Sequence, residues 1–138
     1  MKKRRRINIA IVILVLASSC TNSGEPALVI SGIADKVFSQ KDLESMEMID
    51  AEYINKDGER AIFTGIPISE ILATAGVTKY SKLTITASDD YTAEITSQEL
   101  SGCDSCTLSF IQGEGWKSVL PGFSGKLQVK DVVELNVE

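Results

Sequence analysis

The chain has 138 residues and 43% hydrophobic content, enough for one domain around a single modest core. Five of its 14 cationic side chains lie in Met1–Arg6, so the sequence from Cys20 onward sets nine cations against all 19 carboxylates, a body too acidic to bind a nucleic-acid backbone. It has no histidine, which excludes Ser-His-Asp and Cys-His catalysis and His-ligated zinc or haem.

The chain opens with five cations, Lys2 to Arg6, followed by an apolar run from Ile9 to Leu16, then Ala17, Ser18, Ser19 and Cys20. The apolar run is far shorter than the ~20 residues that span a bilayer, so residues 1–19 read as a signal peptide. Its ending resembles a bacterial lipoprotein signal, in which the Cys becomes the lipidated first residue. Leu16 stands four places before Cys20, one further than usual, and a plain secretory signal is the alternative. Residues 20–26 are small and polar and read as a tether from a membrane to a domain spanning 27–138.

Within that domain, Ala27–Gly32 reads as a strand closed by glycine. Ser39 with Asp42 has the form of a helix cap, with Leu43 and Met46 on one face. Ile49 to Asn55 alternates Ile49, Ala51 and Tyr53 inward against Asp50 and Glu52, a strand. Asn55–Gly58 is a turn, and Ala61–Thr64 is the returning strand. Gly65 to Gly76 reads as a helix, with Pro67 in its first turn and Ile68, Ile71, Leu72 and Ala75 on one face. Lys82–Ala87 and Tyr91–Thr96 are strands, the second leading into a short helix at Ser97–Leu100 capped by Thr96 or Ser97. Thr107–Ile111 and Trp116–Leu120 form a hairpin-like pair, and Val132–Val137 is the last strand. Strands interspersed with short helices predict an α+β fold with a mixed sheet.

Cys103-Asp104-Ser105-Cys106 supplies only two thiols, half of what zinc requires. In an exported protein a disulfide is expected, acting as a loop staple. A thiol-disulfide exchange role is the alternative.

Several segments, in order, resemble the oxidoreductase molybdopterin-binding domain family, the fold of sulfite oxidase. They are Leu28–Gly32, Asp42–Met46, Phe63–Leu72 with Ala75-Gly76, Ala87–Tyr91, Leu120-Pro121-Gly122, Gly125-Lys126, Val129-Lys130-Asp131 and the final strand. The resemblance runs from about residue 27 to the end and implies a pterin or molybdopterin pocket. Where enzymes of the family carry the molybdenum-binding cysteine, this chain has Asn55-Lys56-Asp57-Gly58. Lys117 stands where Arg is expected, and Asp131 where Trp is common.

A turn amide does not replace a thiolate as a soft donor, so no catalytic residue and no metal ligand is expected here. The pattern favours a non-catalytic lipoprotein that binds a pterin-like ligand or an envelope protein partner. A molybdopterin-dependent oxidoreductase is the alternative. Candidate ligand residues are Tyr91 and Trp116 as flat faces, Lys117, Lys126 and Lys130 as cations, and Gly125 for close backbone approach. Each also has a plain structural reading: a core aromatic for Trp116 and solvated loops for the lysines.

Overall fold

The computed structural model describes residues 26–138. The signal peptide expected over 1–19, the lipidation at Cys20 and the tether up to residue 25 lie outside the described residues. The elements in order are β1 (Pro26–Gly32), β2 (Lys36–Ser39), α1 (Gln40–Glu44), β3 (Ile49–Ile54), β4 (Arg60–Pro67), α2 (Ile68–Thr74), β5 (Lys82–Ala87), β6 (Thr92–Thr96), α3 (Ser97–Ser101), β7 (Thr107–Ile111), β8 (Gly115–Val119) and β9 (Val132–Val137), with a 3-10 turn at Gly125–Leu127 before β9.

These strands form two sheets rather than the one expected. The first is mixed, in the order β2-β1-β9-β5-β6, with β1 and β9 parallel. The second is antiparallel, in the order β3-β4-β7-β8. Strict alternation makes the first sheet one-sided. Leu28, Ile30, Leu83, Ile85, Ile95, Leu135 and Val137 are buried on its inner face. On its outer face, Ser31 donates to Glu134 at 3.0 Å and Asn136 donates to Ser31 at 2.9 Å. Ile66, Leu108 and Trp116 of the second sheet join the same core, with Ile68, Ile71 and Leu72 of α2.

Two helices start on reciprocal caps. Ser39 and Asp42 exchange bonds of 2.9 and 3.1 Å, and Thr96 and Glu99 exchange two of 3.1 Å. The bonds from Ser39 hold the Asp42 carboxyl below its usual range. The α2 helix starts later than the sequence suggests. The strand runs on through Gly65 and Ile66 to Pro67 because these residues pair with Thr107–Ser109. Gly65 permits that approach: a Cβ there would collide with Ser109 Oγ and lie 2.7 Å from the Leu108 carbonyl oxygen.

Behind this contact, the hydroxyls of Thr107 and Ser109 are buried without a hydrogen-bond partner among the described residues. An orphaned hydroxyl carries its desolvation cost uncompensated. Ser109→Ala is therefore expected to be neutral or to stabilise the fold by about 1 kcal/mol in urea unfolding. A loss of 1 kcal/mol or more would show that Ser109 has a partner in solution.

Cys103 and Cys106 are joined by a disulfide between α3 and β7, and the Cys106 carbonyl accepts from Ile68 N–H at 3.0 Å. Closing so short a loop is worth about 2 kcal/mol by the chain-entropy argument. The Cys103→Ser/Cys106→Ser double variant is expected to fold and to lose about that much in urea unfolding.

Candidate functional site

An open groove of about 740 Å³ lies where the β3–β4 turn, β8 and the segment before β9 meet. Tyr53, Ile54, Asn55 and Lys56 form one wall. The turn is braced internally, because Asn55 Oδ1 accepts from the backbone N–H groups of Asp57 and Glu59, each at 2.9 Å. Phe123, Gly125, Gln128 and Lys130 form the opposite wall, and Lys117 lies between them.

The second wall is pinned to β8 by side chains. Gln128 accepts from Leu120 N–H and donates to its carbonyl, both at 2.8 Å. Ser118 Oγ donates to the Leu127 carbonyl at 2.6 Å and accepts from Val129 N–H at 2.7 Å. A loop with few regular backbone bonds is thus held in one conformation.

The electrostatics of the groove differ from those of the domain. Lys56, Lys117 and Lys130 are three of the nine cations after Cys20, and among the described residues no carboxylate lines the groove. Lys117 Nζ sits 5.0 Å from the centre of the Phe63 ring. Lys130 Nζ has Glu114 at 3.9 Å, an exposed pair that water screens. Among the described residues, neither Lys56 nor Lys117 has a carboxylate within 4.0 Å of its ammonium group.

The candidate residues read from the sequence do not converge on one site. Lys117, Gly125 and Lys130 line this groove. Lys126 and Tyr91 line a separate hollow of about 330 Å³, where the Tyr91 hydroxyl donates to the Lys126 carbonyl at 2.8 Å. Trp116 does not offer a stacking face. It is 3% exposed, its Nε1–H donates to Gln40 Oε1 at 2.9 Å, and its ring packs at 5.3 Å from that of Phe110. Alternation along β8 accounts for this: neighbouring residues face opposite sides, so placing Lys117 in the groove turns Trp116 into the core.

Tyr53, Phe123 and Gln128 line the groove without having been singled out in the sequence. The resemblance offered one signal, since it sets the Asn55–Gly58 turn where the resembled family carries its metal ligand, close to Tyr53 in the sequence.

The donors in the groove are ammonium groups, amides and a phenol. They do not fit molybdenum, which the resembling family holds through a thiolate. The two cysteines among the described residues are bonded to each other.

No protein-family model matches the chain, and no curated protein is detectably similar to it. Among solved structures, the chain superposes on the sulfane dehydrogenase SoxCD from Paracoccus pantotrophus with a TM-score of 0.66 at 20% identity, over 80% of this chain. The fold is that of sulfite oxidase. The chain spans 37% of the length of that SoxCD chain, and at this identity the likeness establishes architecture alone.

Proposed function

We propose that this protein is an exported, lipid-anchored, non-catalytic binding domain whose groove takes a small, flat, anionic molecule of the pterin type. The observation that carries this reading is the gathering of three cations in one groove of an acidic domain, with no carboxylate among the described residues that line it. Tyr53 and Phe123 bring aromatic rings to the groove, and Asn55 and Gln128 bring amides. A flat heterocycle with a row of donors and acceptors asks for that combination. The ammonium and amide donors support binding without metal chemistry.

Fluorescence titration with a phosphorylated pterin tests this. Lys117→Gln with Lys130→Gln is expected to weaken binding at least about tenfold, since each removes a charge-assisted contact. Equal affinity in the double variant, or no binding by the wild type, overturns the proposal. Acylation is tested separately: radiolabelled fatty acid should enter the wild-type chain and not Cys20→Ser.

A further inference from the structure

We infer that the groove end of the domain docks on an anionic lipid surface, with headgroup phosphates competing for the lysine groove. The inference rests on the lipid anchor proposed above and names a second partner for the same site. Its first support is topological. β1 and β9 run parallel, with Val29 beside Glu134, so Pro26 and Val132 begin their strands at the same end of the sheet. Lys130 lies two residues before Val132, at that end. The turn after β5 is there too, because Ala87 pairs with Val132. Gly32, Lys82 and Val137 mark the far end. Six peptide steps separate Cys20 from Pro26, a reach of at most ~20 Å at full extension. An acyl chain on Cys20 therefore keeps this end of the domain within about 20 Å of the bilayer, close enough for the groove to meet headgroups.

The second support is local charge. This end also carries Asp57, Glu59, Asp89, Asp90, Glu114 and Asp131, so it presents no broad basic face. The attraction is confined to the groove, where Lys56, Lys117 and Lys130 stand without a lining carboxylate. A single phosphate entering the groove answers that charge. Two large side chains are exposed at this end: Ile54, which lines the groove, is 52% exposed, and Tyr91, a residue type favoured at the bilayer interface, is 44% exposed in the neighbouring hollow. A bound soluble anion would displace the headgroup and free this end from the membrane.

Hydrogen exchange of the full chain reconstituted in vesicles tests the inference. Phosphatidylcholine vesicles are compared with vesicles that also contain phosphatidylglycerol. Backbone exchange over Gly122–Lys126 is expected to slow at least about fivefold when phosphatidylglycerol is present, the equivalent of one lysine near an anionic surface. Added phosphorylated pterin or high salt should reverse this. Lys117→Gln with Lys130→Gln should abolish the protection, and Lys36→Gln with Lys79→Gln, an equal charge change elsewhere, should keep it. Unchanged exchange of β9 shows that each variant is folded.

Equal exchange on both vesicle types, or equal loss in both double variants, overturns the docking. If the chain does not stay with neutral vesicles, the anchor reading falls, and the response to phosphatidylglycerol still decides the docking. If headgroup protection appears but the pterin titration is flat, the docking stands and the pterin reading falls.

Discussion

Trp116→Ala is expected to cost about 3–5 kcal/mol of folding stability, the range for deleting a large buried aromatic. The ring is 3% exposed and packed into the shared core, and the Gln40 side chain loses its donor when the indole goes. Urea unfolding measures the loss. In conditions where the variant remains folded, its affinity for the phosphorylated pterin should equal that of the wild type, because Trp116 does not line the groove. A variant of near-normal stability with much weaker ligand binding would return Trp116 to the site and contradict the burial described here.

Gly32→Ala should be comparably damaging. Gly32 sits at φ +95°, where an L side chain is strained, and an added Cβ would collide with the Val137 carbonyl oxygen and lie 2.9 Å from its carbonyl carbon. Val137 is part of a strand flanked on both sides, so the backbone has no direction in which to yield. Left-handed strain contributes about 1–2 kcal/mol and overpacking about 1–3 kcal/mol. A total near 3 kcal/mol is expected in thermal or urea unfolding. Gly76→Ala is the matched control. Its φ is +86°, but nothing lies within 4 Å of the added methyl, so only the strain of about 1–2 kcal/mol should appear. Similar losses at the two positions would mean that the approach to Val137 relaxes freely.

Local chemistry made most of the secondary structure legible. Ser39 with Asp42 marked one helix start and Thr96 or Ser97 a second, through caps that need only neighbouring residues; the structure makes Thr96, paired with Glu99, the second cap. The alternation of Leu83, Ile85 and Ala87 marked a one-sided strand, and the last strand falls at Val132–Val137 as its pattern implies. The ordered segments also carried the resemblance whose fold the SoxCD superposition bears out.

What escaped the sequence depends on partners distant along the chain. β2 is four residues long and exists because Val37 and Phe38 pair with β1. Gly65 and Ile66 read as the start of a helix, and pairing with β7 makes them strand instead. The split into two sheets follows from which strands meet, which no local pattern encodes.

The site shows the same division. The sequence alone revealed that cations are scarce after Cys20 and that three of the nine, Lys117, Lys126 and Lys130, lie in the last quarter of the chain. Only the fold separated Lys126 from Lys117 and Lys130, and only it brought Lys56 and Tyr53 from the β3–β4 hairpin to join them. Trp116 and Lys117 are adjacent in sequence, yet one lies in the core and the other in the groove. A strand sends successive side chains to opposite faces, and which face meets the core is settled by packing between the sheets.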